Sequence, residues 1–226
     1  VNKEHQEIQA IIFDLDGVIT DTAKYHYEAW KQLADELNIP FDWKFNEQLK
    51  GIDRMASLEK ILSQLPDEGK SFTLEQKQDW ATSKNMNYQL LIEKVDESEI
   101  LPGILDLFHD LKQAGIPAGL ASASRNARTL VRQLKVEPFF DVIVDPTSVA
   151  QGKPAPDIFL KAAEELGVAS RYCVGVEDAE AGIQAIKSAG MFAVGVGDAD
   201  TLSDADYIVA ETSQLSFYDI RRHFVG

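Results

Sequence analysis

"IIFDLDGVITDT", residues 11–22, passes from an unbroken apolar run into two aspartates one residue apart, then a glycine and Thr20-Asp21-Thr22. A short apolar run without polar alternation reads as a strand covered on both faces. The paired carboxylates therefore fall where a buried strand ends. Similar runs recur at 116–121 (IPAGLA), 141–144 (DVIV), 172–176 (YCVGV), 192–196 (FAVGV) and 206–210 (DYIVA). Between several of them apolar residues return at helical spacing, as in Ile104, Leu105, Phe108 and Leu111 before Gly115, or Ile158, Phe159, Ala162 and Leu166 before Gly167. Glycine just past the last apolar position stops a helix. Strand alternating with helix predicts an α/β fold with a doubly wound, Rossmann-like parallel sheet, whose ligands sit at the carboxyl ends of the strands. Asp14 and Asp16 occupy such an end.

Residues 22–95 read differently. Tyr27, Trp30, Leu33, Ala34 and Leu37 keep helical spacing, a shorter helix is expected near Met55 to Leu65, and a long one begins at Thr73. No strand run interrupts them. The chain is thus expected to divide into an α/β core, residues 1–21 and 96–226, and an inserted all-helical cap, residues 22–95, lying over the catalytic end.

The bulk composition narrows the partners. With 226 residues and 45% apolar side chains the chain can fill a sizeable core. A formal net charge of -15 repels nucleic acid and anionic membrane surfaces, so neither is an expected partner. The lone Cys173 excludes an internal disulfide, and its place in YCVGV reads as a buried small hydrophobe. No apolar run approaches the roughly 20 residues that span a bilayer, and the polar segment before Ile8, given no function, lacks a signal-peptide core. A cytoplasmic protein is the expectation, and a monomer, since no coiled-coil heptads occur.

Alone, D-x-D is a weak signal, because such aspartates also cap turns. Three further features share the predicted rim: LASAS after the second strand, GKPAPD (152–157) before a helix and VEDAEAG (176–182) after the fourth strand. Singly, Ser122 also reads as a helix-entry residue, Lys153 as a solvated charge, and Glu177-Asp178 as a pair favourable to a helix dipole. Together they supply a nucleophilic carboxylate, hydroxyl and ammonium donors for phosphate oxygens, and acidic ligands for a cation.

FDLDGVITDT, YHYEAW, NEQLKGIDR, LASASRNA, KPAPDIF and EDAEAGIQAIK, spanning nearly the whole chain from Ala10, resemble the haloacid dehalogenase superfamily and, within it, the β-phosphoglucomutase family with a helical cap. Haloalkanoate dehalogenases lack an acid at the second aspartate, so Asp16 points to phosphoryl transfer. The resemblance implies that Asp14 attacks phosphorus, that Asp16 moves the proton of the sugar oxygen, and that Ser122 and Lys153 hold the transferring group. It implies Mg2+ as cofactor, bound by Asp14, Asp178 and the backbone carbonyl of Asp16, with Glu177 supporting the site.

A mutase needs a second anion site besides the first. Arg54 in LKGIDR, with Ser124, Arg125 and Asn126 in SASRNA, resembles that distal clamp, and Lys50, Gly51 and Ala123 stand in the same substrate-binding segments. Arg125 replaces the lysine often found there. Thr22 resembles a hinge residue, and His26 resembles the histidine that links sugar binding to acid/base readiness. Lys84 resembles a residue contacting sugar hydroxyls, although a solvated helix charge reads nearly as well. His5, His109 and His223 show no such context. The activity implied is interconversion of β-D-glucose 1-phosphate and glucose 6-phosphate through a bound bisphosphate. A sugar-phosphate phosphatase and a non-catalytic phosphate-sensing domain are the alternatives.

Overall fold

In the computed structural model of the chain, residues 7–66 and 71–225 are described. His5 and most of the polar segment before Ile8 lie outside them. Six strands, β1 (Ala10–Phe13), β2 (Ala118–Leu120), β3 (Val142–Ile143), β4 (Cys173–Glu177), β5 (Phe192–Val196) and β6 (Tyr207–Val209), form one sheet in the order β3-β2-β1-β4-β5-β6. Every pairing is parallel. All six expected runs are strands. The third is only two residues long, as suits an edge strand paired on one side.

Alternation along β1 explains why its sequence is uniformly apolar. Ile11 and Phe13 enter one cluster, with α5 (Ile104–Ala114), α6 (Ala127–Gln133) and α9 (Phe217–Val225). Ala10 and Ile12 enter the other, with α7 (Asp157–Leu166) and α8 (Glu180–Ser188). Both faces are covered, so neither tolerates polar alternation. Phe13 meets the edge of Phe108 with ring centroids 5.3 Å apart, and each such buried ring contributes about 1.5–3 kcal/mol. Gly115 and Gly167 end α5 and α7 in the left-handed conformation, as read from the sequence. Cys173 is buried in the second cluster.

Among the described residues the elements between β1 and α5 are all helical, chiefly α1 (Ala23–Glu36), α2 (Trp43–Glu47), α3 (Arg54–Leu62) and α4 (Leu74–Ile92). The short α2 was not foreseen; Asp42 nucleates it by accepting from the Phe45 amide at 2.8 Å. This block owns a cluster built on Trp30, Leu33, Leu58 and Ile61. Ala29, Tyr88, Ile92 and Val95 belong instead to the first sheet cluster, so the near ends of α1 and α4 are rooted in the α/β unit. The two connecting segments are tied to each other: Leu101 N–H donates to Ile19 O at 2.9 Å, and Thr20 Oγ1 to Glu99 O at 2.8 Å.

Candidate active site

Register brings the chemistry to one rim. Phe13 lies beside both Leu120 and Val176, so the residues that follow these three strands emerge level with one another. Asp14 N–H donates to Val176 O at 2.9 Å and Ala121 N–H to Phe13 O at 2.8 Å, continuing the ladder one step past the strands. Asp14, Ser122 and Glu177 are all buried. The chain then turns: Gly17 N–H donates to Thr20 O at 2.7 Å, with Gly17 at φ 75°. Leu15, Val18 and Ile19 plunge into the core and leave Asp14 and Asp16 facing the same cleft. A β-carbon on Gly17 would lie 2.0 Å from Asp178 Oδ2, so only glycine allows this close approach.

Lys153 Nζ lies 2.6 Å from Asp14 Oδ1 and 2.7 Å from Glu177 Oε2, with no exposed side-chain surface. Burial alone would lower this lysine, but the Asp14 and Glu177 carboxylates raise it above its ordinary value, so it stays an ammonium. Burial, with the Asp14 charge, pushes Glu177 up to about 7. Burial, then Glu177 and Asp14, holds Asp178 well above the usual carboxylate range.

Asp14, Glu177 and Asp178 each place a carboxylate oxygen within 4.8 Å of the others. Three acids at that spacing, with Lys153 bonded to two of them and Lys50 3.9 Å from the third, form an all-oxygen donor set with negative charge to spare. That set fits a hard divalent cation.

The proton-handling side is built from Asp16. Its carboxylate accepts a hydrogen bond from Thr22 Oγ1 and lies 3.9 Å from His26 Nε2. Burial and the Asp14 charge push Asp16 up to about 7. Thr22 is fully buried and accepts in turn from Tyr88 O–H at 3.0 Å. Lys84 Nζ reaches His26 Nδ1 at 2.9 Å, which leaves Nε2 to carry the ring proton towards Asp16. Burial, then Lys84 and Arg54, keep His26 well below its ordinary value, a neutral imidazole.

Lys84 is not a solvated helix charge. It is 3% exposed, its ammonium lies 4.5 Å from the Trp30 ring centroid, and burial brings it down to about 7. The signal was legible: Ala81, Lys84, Tyr88 and Ile92 form one buried stripe on α4, and the lysine stands within it. His109 and His223 do pack, against Phe139 and Tyr207.

A cavity of about 790 Å³ joins these groups to the helical block. It is lined on the core side by Ser122, Ala123, Ser124, Arg125 and Asn126 and on the cap side by Lys50, Gly51, Arg54 and Lys84. All the residues singled out in the sequence except Thr22 and Glu177 line it; these two stand just behind, bonded to Asp16 and Lys153. The cap loop rests on the core, since a β-carbon on Gly51 would touch that of Ala179 at 3.0 Å. Arg54 is lowered by burial and then by the neighbouring Arg125, so two guanidinium groups face one region. The arginine ion pairs among the described residues belong to Arg128, Arg132 and Arg221, not to this pair.

Asn126, which begins α6, does not cap it with its side chain; that carboxamide bonds instead to Asn85 and Gln89 of α4. Asn85, Gln89 and Gly182 were not singled out in the sequence.

Phosphoryl chemistry on a Rossmann-like sheet under a helical lid is the class these features define. The family described as haloacid dehalogenase-like hydrolase matches residues 8–190, and the chain belongs to it. Over 209 residues the chain is 53% identical to the β-phosphoglucomutase of Bacillus subtilis (strain 168), with 92% of each covered. The crystal structure of β-phosphoglucomutase from Clostridium difficile matches with a TM-score of 0.92 at 48% identity, covering 96% of this chain and 97% of that one. A phosphorylated carbohydrates phosphatase of Thermotoga maritima is more distant, 30% identical with 81% of this chain and 82% of that protein covered. Within the family the chain groups with the β-phosphoglucomutases.

Proposed function

We propose that the protein is an Mg2+-dependent β-phosphoglucomutase, interconverting β-D-glucose 1-phosphate and D-glucose 6-phosphate through an aspartyl phosphate and β-glucose 1,6-bisphosphate. One observation supports the reading: a single cleft is lined by the Asp14–Lys153 pair and also by Arg54 and Arg125, which we read as two places for a phosphate. A hydrolase of monophosphates has no use for the second.

Asp14 Oδ attacks phosphorus and the bond to the departing sugar oxygen breaks; Lys153 and Ser122 hold the equatorial oxygens. Asp16, protonated below about pH 7, gives its proton to that oxygen and later takes one from the hydroxyl that reclaims the phosphoryl group. Thr22, His26 and Lys84 hold Asp16 ready, and Lys84 also meets sugar hydroxyls. Arg54 and Arg125 hold the distal phosphate bidentately, Ser124 and Asn126 add single hydrogen bonds, and Lys50, Gly51 and Ala123 shape the floor between. Asp14, Asp178 and the Asp16 carbonyl would hold Mg2+, with Glu177 in support, and the ion would supply charge that lets one anion approach another. Residues 22–95 act as the cap, residues 1–21 and 96–226 as the core, and Thr22 as a hinge between them.

The proposed setting is cytoplasmic and the proposed state a monomer; among the described residues no helix is long and apolar enough to cross a membrane.

The test supplies β-glucose 1-phosphate, Mg2+ and a trace of the 1,6-bisphosphate, and measures glucose 6-phosphate and inorganic phosphate. Glucose 6-phosphate without free phosphate is expected. Stoichiometric phosphate release would make the chain a phosphatase, and neither product a phosphate sensor. Asp14→Asn should give no phosphoenzyme in a rapid-quench assay, and normal turnover by Asp16→Asn would remove the acid/base role.

A further inference from the structure

One carboxamide relay crosses from the helical block to the sheet unit. Asn85 Oδ1 accepts from Arg54 Nη2 at 2.7 Å and from Asn126 Nδ2 at 2.9 Å, while Gln89 Nε2 donates to Asn126 Oδ1 at 3.1 Å. Asn126 is buried and opens α6. Asn85 and Gln89 are one helical turn apart on α4, so their side chains stack on one face and grip both ends of a single core carboxamide. The polarities match: the amide of Asn126 gives to Asn85 and its carbonyl takes from Gln89, and the second amide N–H of Asn126 stays free for a ligand. Gln89 is a solvent-facing helix position, where packing alone would not fix a side chain. Its orientation is set by this bond.

We infer that Asn85 and Gln89 are positioning residues that latch α4 onto Asn126 and couple closure of the helical block to the seating of an anion on Arg54. The coupling rests on Asn85 alone, because its one oxygen serves both the guanidinium of the cap and the amide of the core. With the cap closed, that oxygen holds Arg54 aimed at the region shared with Arg125; with the cap open, Asn126 is out of reach and Arg54 loses its alignment to the core half of the clamp. The coupling, unlike the latch, rests on the distal-anion reading given above. A single bond of this kind shifts the ratio of closed to open molecules by about fivefold, and the apparent affinity for a ligand that needs the closed form falls by the same factor.

Small-angle X-ray scattering on the ligand-free protein tests the latch directly. The Asn85→Ala/Gln89→Ala double variant should show a larger radius of gyration than the wild type, at an unchanged melting temperature. Equal scattering curves overturn the latch, whatever reaction the enzyme proves to catalyse. Steady-state kinetics then read the latch through Gln89 and the coupling through Asn85. Gln89→Ala should raise KM for the hexose phosphate about fivefold with kcat held within about twofold. Asn85→Asp keeps an acceptor for Asn126, so it should scatter like the wild type, yet raise KM because its charge neutralises Arg54. A KM at the wild-type value for Asn85→Asp overturns the coupling and leaves the latch to stand on scattering. Failure of the mutase reading would show separately, as free phosphate in place of glucose 6-phosphate from the wild type.

Discussion

Lys84 shows how far a single side chain departs from its sequence-level expectation. Its ammonium is enclosed by Trp30, Tyr88 and His26, and no carboxylate among the described residues touches it; Asp16 acts on it only as a smaller, more distant charge. Burial therefore wins and the lysine titrates at about 7 in the folded protein against 10.5 when free. The sign follows directly. Between those values the unfolded chain keeps a proton that the folded chain has lost, so the unfolded state binds more protons and stability rises with pH across that window. Urea unfolding of wild type and Lys84→Met, compared at neutral pH and at about pH 10, should show the wild type gaining stability relative to the variant; a constant difference would mean that Lys84 keeps its proton. Lysine on a helix usually reads as solvated, and only its position in the stripe 81–84–88–92 marked this one as buried.

At the scale of an element, α8 is held against its strand by an omission. A β-carbon on Gly182 would lie 1.9 Å from Glu177 Oε2, the oxygen that receives Lys153. The glycine is thus part of the site without carrying any chemistry. Glu177 also bends back to accept from the amides of Asp178 and Ala179 at 3.1 Å each, so it fastens the first turn of the helix as well as the lysine. Gly182→Ala should cost about 1–3 kcal/mol in denaturant unfolding and weaken Mg2+ binding, read by titration calorimetry, by about 10- to 100-fold. Wild-type affinity for the ion in that variant would show that Glu177 plays no supporting part. The motif EDAEAG was visible from the outset, but a glycine has no side chain to announce what it makes room for.

Across the whole molecule, the helical block and the sheet unit each hold a hydrophobic cluster. Leu58 is fully buried in the cluster private to the helical block, whereas Ile12 is fully buried beneath α7 and α8. Leu58→Ala removes packing from the block alone and should cost about 2–5 kcal/mol there. Hydrogen exchange should speed up in α1–α4 while the amides of β1 and β4 keep their protection. Equal acceleration everywhere would mean that the division into cap and core has no energetic meaning. Ala29, Tyr88 and Ile92 pack the near ends of α1 and α4 into the sheet cluster, and the linkers around Thr20–Thr22 and Glu99–Leu101 are bonded to each other, so the block meets the sheet unit through both.

The alternation of buried strands with amphipathic helices, the helical insert, and the list of carboxylates, lysines and arginines at the rim all follow from local patterns, because strand burial, helix periodicity and turn chemistry are set by near neighbours in the chain. Tertiary structure alone decided three things: that Lys84 meets His26 and Trp30, that Gly182 makes room for Glu177, and that Asn85 and Gln89 meet Asn126 37 to 41 positions away. These depend on which surfaces meet when α4 folds back over the sheet, and no periodicity within a segment records what will lie against it.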